Sequence, residues 1–425
     1  MRDKRRLIEW GKNAAIVLLT LSAVYLLSMT PLIQDSGLLD MLQSAPAAGN
    51  ASAGGMRTGT VLPARLAVYR DGERFGLEYD DERMAELFAA FDPLLGDALA
   101  SASEPRALTE REWQDCLRQK SVYFDFSGAV PLTALSRWLS GEGEDAPQGS
   151  ARRLALTAGE DDRVVLCWQD GADGAFYACG TTLSGALHLD PAVDGVSAGG
   201  AYFAFEDPEL HRLLDPYTLI TEGERTGIQY TVTAPLAGSA GVDALLEALS
   251  FNSQNHAPGS SGEVYMDGAD RLVVGESGTV TYRAAQAGKY PVGGQAGETT
   301  AAQAADAAAA IAEAAMRPLC GEARLYLLSV QEYGDGWLVH FGYRLNGSAV
   351  YLYDDGWAAE FVVQGGYVTE FTLRLRCYAA GEDVLLLPIG RAAVMLPDLT
   401  AERKELVIQY RDGGGTAVTP RWEAV

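Results

Sequence analysis

Histidine is scarce in this chain. The 425 residues hold four, His188, His211, His256 and His340, and none stands at the H-E-x-x-H spacing that holds zinc, so no metal site is expected. Cysteine is nearly as rare. Cys116, Cys167, Cys179, Cys320 and Cys377 include no C-x-x-C pair, and their odd number leaves at least one unpaired within a monomer. Cys167 and Cys179 sit on neighbouring predicted strands and could bridge; the other reading of the five is as buried small hydrophobes. Positive charge is short as well: 33 Lys and Arg face 57 Asp and Glu, and the net charge of -24 repels polyanions and excludes nucleic acid as a partner. A dinucleotide fingerprint and a P-loop are both absent, so no cofactor is expected.

Long apolar runs are missing with one exception, Ala14–Ile33, which carries no charge and is long enough to cross about 30 Å of hydrocarbon as a helix. Arg2, Lys4, Arg5, Arg6 and Lys12 precede it, and Asp35 and Asp40 follow, so the positive-inside rule puts the N-terminus in the cytoplasm and the rest of the chain outside. A cleaved signal peptide is the competing reading, but the small-residue site Ala45-Pro46-Ala47 lies far downstream, and the run exceeds the usual h-region of about 7–15 residues. The expected localisation is therefore the cytoplasmic membrane, single-pass. Within the run, Ala15, Ser22 and Met29 recur at heptad spacing with Tyr25 adjacent. Small side chains there would let another helix approach, and Ser22 would hydrogen-bond across the contact.

Residues 1–13 then form a cytoplasmic tail, 14–33 the membrane helix, and 34–60, rich in Ala, Gly and Ser, a flexible stalk. Three folded units are expected beyond it, at 61–216, 217–297 and 298–425. In the first, strands at Arg65–Arg70 and Phe75–Tyr79 precede a helical stripe of Met84, Leu87, Phe88, Phe91 and Leu95. Thr109 to Glu112 has the form of a capping box, and Pro131–Leu139 reads as a short helix. In the second, helix Val242–Leu249 leads into strands Glu263–Met266, Arg271–Val274 and Thr279–Arg283. The third opens with an Ala-rich helix, Thr300–Met316, and continues as an antiparallel meander from Arg324 to Arg376, with Asn346-Gly347 its strongest hairpin signal. A short helix near Gly390–Met395 and a strand at Glu405–Tyr410 complete it. The fold class expected is α+β: a transmembrane helix followed by mixed α/β extracytoplasmic domains with antiparallel, curled sheets.

Catalytic constellations are sparse. Gly195-Val-Ser-Ala-Gly199 matches the nucleophile elbow G-x-S-x-G around Ser197, with His211 nearby, but the elbow needs a strand, a sharp turn and a helix, and Gly200–Phe205 reads as a strand. With 47 glycines the pattern arises readily by chance. Asp161-Asp162 and Asp354-Asp355 lack the spaced acidic loop of a calcium site and read as turn residues. Trp337, Tyr343, Tyr351, Tyr353, Trp357 and Tyr367 crowd the meander, where strand alternation points about half of them into the core. No catalytic, cofactor-binding or metal residue is assigned, and the chain reads as a non-enzyme.

Three stretches carry a family likeness: Lys120-Ser-Val-Tyr-Phe-Asp-Phe126 leading into Pro131–Leu139; Leu245-Leu-Glu-Ala-Leu-Ser-Phe-Asn252 followed by Val264-Tyr-Met-Asp-Gly268, Arg271-Leu-Val-Val274 and Gly278-Thr-Val-Thr-Tyr282; and the meander ending in Val418-Thr-Pro-Arg-Trp422. Together with the tail, helix and stalk, they resemble the YycH/YycI (WalH/WalI) regulatory proteins of Gram-positive bacteria. That resemblance implies a membrane-anchored accessory protein that contacts the sensor histidine kinase of a WalRK (YycFG) two-component system, and a paralogous regulator, and tunes cell-wall homeostasis without catalysis. The alternative is an anchored module that binds a wall-derived ligand. A wall hydrolase using Ser197 is a further rival.

Overall fold

A computed structural model of the chain describes residues 61–425, apart from 142, 144, 197, 222, 224, 286–287, 294–298 and 396–403. The tail 1–13, the expected membrane helix 14–33 with Ala15, Ser22, Tyr25 and Met29, and the stalk 34–60 lie outside the described residues. No helix among the described residues is long and apolar enough to cross a membrane.

The N-terminal half builds a nine-stranded sheet from β1 (Arg65–Arg70), β2 (Glu73–Glu78), β3 (Arg106–Leu108), β4 (Ser121–Pro131), β5 (Ser150–Ala158), β6 (Arg163–Asp170), β7 (Phe176–Ser184), β8 (Gly199–Phe203) and β9 (Leu219–Thr221). Its order is β3-β7-β6-β5-β4-β1-β2-β8-β9, and its paired strands run antiparallel. The stripe Met84 to Leu95 predicted one helix, whereas the chain forms two, α1 (Asp81–Phe88) and α2 (Asp92–Ala100). Pro93, with no N–H to donate and a ring that crowds the carbonyl four residues back, ends the ladder between them, while Met84, Phe88, Phe91 and Leu95 stay buried on one side. Helix α3 (Glu110–Leu117) begins at the predicted capping box: Glu112 N–H donates to Thr109 Oγ1 at 3.3 Å and Thr109 N–H to Glu112 Oε2 at 2.7 Å. Two further helices, α4 (Leu132–Ser140) and α5 (Asp190–Asp194), close this half. The β4 strand is buried on both faces: Val122 and Phe124 join the main core on one side, and Tyr123 joins a smaller core under α3 on the other.

The C-terminal half contributes β10 (Arg225–Thr233), α6 (Ser239–Ala248), β11 (His256–Gly259), β12 (Gly262–Asp267), β13 (Asp270–Val274), β14 (Thr279–Arg283), β15 (Tyr290–Pro291) and α7 (Ala301–Met316). After these come β16 (Arg324–Tyr333), β17 (Gly336–Leu345), β18 (Ser348–Leu352), β19 (Ala359–Gln364), β20 (Tyr367–Arg374), β21 (Cys377–Leu386), α8 (Ile389–Met395), β22 (Leu406–Asp412), β23 (Ala417–Val418) and β24 (Arg421–Ala424). Pairing of β14 with β20 joins β11–β14 to β15–β20, β22 and β24 in one twelve-stranded sheet. β10, β21 and β23 make a separate three-stranded sheet. Seven buried alanines on α7, Ala302, Ala304, Ala305, Ala308, Ala309, Ala312 and Ala315, give it the thin face that lets a helix lie close to a sheet.

Two close approaches join the halves. At Asn346-Gly347 both residues take positive φ, 45° and 81°, as a tight hairpin requires. Asp81 N–H donates to Asn346 Oδ1 at 3.1 Å, and a methyl group on Gly347 would stand 2.7 Å from the Tyr79 Cα. At Gly128 in β4, a Cβ would collide with the carbonyl oxygens of Leu327 and Leu328 in β16. Backbone cannot give way as a side-chain tip can. Gly128→Ala is therefore expected to destabilise the fold by about 1–3 kcal/mol, read as a lower urea midpoint at unchanged slope; an unmoved midpoint would mean the strands are not so close.

Candidate functional site

Where the two halves meet, four guanidiniums (Arg65, Arg152, Arg153, Arg225) face four carboxylates (Glu78, Asp125, Asp215, Glu405). Strand irregularities place them. Ala151 pairs with Asp170 and Arg153 with Gln169, so Arg152 is the extra residue of a β-bulge, and the consecutive Arg152 and Arg153 both reach Glu405. A second register break, between Asp125 and Val130, opens β4 beside them. Glu405, which immediately precedes β22, enters from the other half of the chain.

The contacts are dense. Arg152 is bidentate on Asp125, at 2.7 and 3.1 Å, and donates to Glu405 Oε1 at 2.8 Å. Arg65 donates to Asp125 Oδ2 at 2.7 Å, to Glu405, and to the Tyr79 hydroxyl at 3.2 Å. Arg153 bridges Asp215 at 3.0 Å and Glu405 Oε2 at 3.3 Å. Arg225 pairs with Glu78, which Arg65 Nε also approaches at 3.3 Å. Asp125 is fully buried and Glu405 is 6% exposed. Burial alone would raise the Glu405 carboxyl, but the charges of Arg152, Arg65 and Arg153 outweigh it and hold the group well below the usual carboxylate range. The same opposition acts on Arg152, whose burial is overcome by Asp125 and Glu405, so it stays charged.

A cleft of about 250 Å³ opens over this seam, lined by Arg65, Tyr79, Arg152, Tyr326, Tyr351 and Val425 among others. Burial pushes the Tyr326 hydroxyl up to about 12, so at neutral pH it is a donor. The cleft thus offers hydroxyl and guanidinium groups, and its carboxylates, Asp355 on the wall and those of the seam beneath, are held in ion pairs. That chemistry suits orienting an acceptor-rich group rather than abstracting a proton.

Of the residues singled out in the sequence, Tyr351 and Asp355 line this cleft, and the others fall elsewhere. Ser197 lies outside the described residues; Gly199–Phe203 after it is a strand, and His211 meets the Tyr202 hydroxyl at 3.2 Å. Asp162 accepts from Ser184 Oγ at 2.7 Å and from Ala186 N–H at 2.9 Å, and Asp355 pairs with Arg374, which lies 3.6 Å over the Trp357 ring. Of the meander aromatics, Tyr343 is buried, Trp337 and Tyr353 pack against the main core, and Tyr351 lines the cleft. Cys167 and Cys179 do not pair: although on adjacent strands, they point to opposite faces of the sheet, Cys167 into the small core under α3 and Cys179 into the main one. Sequence reasoning missed a hydrogen-bonded line across three strands, with Ser329 Oγ 3.2 Å from His340 Nδ1 and His340 Nε2 2.9 Å from Glu360 Oε2. The strand register alone brings these three together. Among the described residues, no group of three or more His, Cys, Asp or Glu is placed to hold a metal ion.

Comparison with known proteins gives one likeness of fold. No family model and no curated protein matches the sequence. Among solved structures, the crystal structure of YycH from Bacillus subtilis superposes with a TM-score of 0.53 over 87% of this chain and 95% of that one, at 10% sequence identity. The chain has a YycH-like fold.

Removing the central carboxylate should expose the seam's role. Glu405→Gln leaves the buried guanidiniums of Arg65 and Arg153 and the partly exposed one of Arg152 short of a counter-charge and is expected to cost about 3 kcal/mol at neutral pH. Because the native pKa is depressed, Glu405 contributes fully above the ordinary glutamate value of about 4.3 and loses its contribution as pH falls through the native one. The stability gap between parent and variant, measured by urea unfolding from pH 7 downward, should narrow only in acid. A gap independent of pH would show that the charge is not what matters.

Proposed function

We propose that the chain is a single-pass, non-catalytic regulator of a sensor histidine kinase of the WalRK type, anchored by residues 14–33 with its folded part outside the cell. One observation carries the reading: the YycH-like fold extends over 87% of the chain. The charge-free run behind a basic tail supports the anchor, and Ala15, Ser22, Tyr25 and Met29 are the proposed contact face within the bilayer. A partner shifts a two-state receptor only by the difference in its affinity for the two states, and allosteric couplings of about 1–3 kcal/mol change an equilibrium about 5- to 150-fold. A paralogous regulator is a second proposed partner.

A second reading, an anchored module for a wall-derived ligand, is favoured by the donor-lined cleft over the seam. The two part company in one assay. With kinase and full chain reconstituted in one bilayer, autophosphorylation should change at least about fivefold, and a photoreactive residue at position 22 should capture the kinase. Unchanged phosphorylation with capture of lipid alone would rule out the regulator. Loss of wall-degrading activity in Ser197→Ala would instead identify a hydrolase.

A further inference from the structure

The five cysteines are free thiols, and two of them meet. Cys167 Sγ lies 3.5 Å from Cys116 Sγ, with Cys116 on α3 and Cys167 on β6 beneath it. The approach is built into the sheet. Cys167 is flanked in register by Ala155 on β5 and Ala178 on β7, both fully or almost fully buried in the same small core, and these short side chains leave room for a thiol to reach down from the helix. Trp113, one turn earlier on α3, stacks on Phe176 at 5.5 Å and holds the helix in place.

We infer that Cys116 and Cys167 are a redox-modification site, a dithiol that closes to an intramolecular disulfide tying α3 to the sheet, with a low-molecular-weight disulfide as its oxidant. The two thiols have distinct roles. Cys116 is partly exposed, whereas Cys167 is fully buried. The hydrogen bond from Cys167 lowers the Cys116 pKa, and the same bond, with burial, raises that of Cys167. Cys116, the more exposed and the more readily ionised of the two, is therefore the attacking sulphur, as its thiolate. It attacks one sulphur of the oxidant, breaking that S–S bond, releasing one thiolate and leaving a mixed disulfide at Cys116. Cys167 then loses its proton and attacks Cys116 Sγ, expelling the second thiolate. One S–S bond is broken in the oxidant and one formed in the protein; the protein gives up two electrons and two protons, which leave as two small thiols. The sulphurs must close from 3.5 Å to the bonded distance of about 2.05 Å, a shift that draws the short helix inward. The other cysteines stand apart: Cys179 is on the far face of the sheet, where burial pushes its thiol up to about 11, and Cys320 donates to the Ala323 carbonyl at 3.0 Å.

The test uses the purified full chain equilibrated in mixtures of oxidised and reduced glutathione, then acid-quenched, unfolded, alkylated and mapped by mass spectrometry. Cys116 and Cys167 should lose alkylation together, in a peptide pair lighter by two hydrogens and linked to each other, and both should recover it in dithiothreitol. Before oxidation, iodoacetamide on the folded chain should label Cys116 fastest of the five. Cys116→Ser, a near-isosteric change at a partly exposed site, should abolish the link while leaving the circular dichroism spectrum of the parent. Persistent alkylation of both residues in fully oxidised buffer, or a link from either to Cys179, Cys320 or Cys377, would overturn the assignment.

Discussion

The carboxylate of Glu405, held between Arg65, Arg152 and Arg153, decides where the C-terminal strands sit on the N-terminal sheet. Taking the five buried charges of the seam, Arg65, Glu78, Asp125, Arg153 and Glu405, out of water costs several kcal/mol per ion, which only well-formed pairing offsets. A docking displaced by even one residue would leave those charges buried and unpaired. The seam therefore acts mainly by excluding other arrangements, and the main hydrophobic core, which runs from Val61 to Val418, supplies the net drive to fold. Gly128 and Gly347 serve the same end by contact: each marks a point where backbone from one half lies against backbone from the other, with no room for a side chain. Around this frame the Tyr79 hydroxyl, which accepts from Arg65 at 3.2 Å and from the Ile408 amide at 3.1 Å, carries the charged cluster into the C-terminal strands.

Much of the fold was legible because local rules govern it. The capping box at Thr109, the alanine face of residues 300–316 and the Asn346-Gly347 hairpin each depend on residues close in sequence, and each forms as expected. What escaped was non-local. The β21 strand carries few large apolar residues and six exposed positions, so it has little alternation to read, and it is a strand because β10 pairs with it along nearly its whole length. The single helix expected across Met84 to Leu95 failed because periodicity registers burial, which continues through the break, and not the ladder that Pro93 ends. The seam was hidden for a similar reason. Arg65, Asp125, Arg152 and Glu405 are ordinary charges along the chain, and two register breaks bring them together. Likewise the partner of Cys167 was set by which face of the sheet it occupies, which strand adjacency does not reveal.

A seam that tolerates one docking fixes the surface that the two halves present together. The cleft over the seam lies where both halves contribute side chains, Arg152 from one and Tyr351 from the other, so a molecule bound there would bear on how the halves are held. A ligand-binding role and a regulatory one are in that sense compatible.

The seam makes the two sheets one cooperative body, which native-state hydrogen exchange on the full chain in rising denaturant would show. Amides of β4 and β5 in the nine-stranded sheet and of β17, β19 and β20 in the twelve-stranded sheet should converge on a single opening free energy with one denaturant dependence. Two separate isotherms, with one sheet opening while the other stays protected, would contradict it and leave the seam a surface contact between independent units.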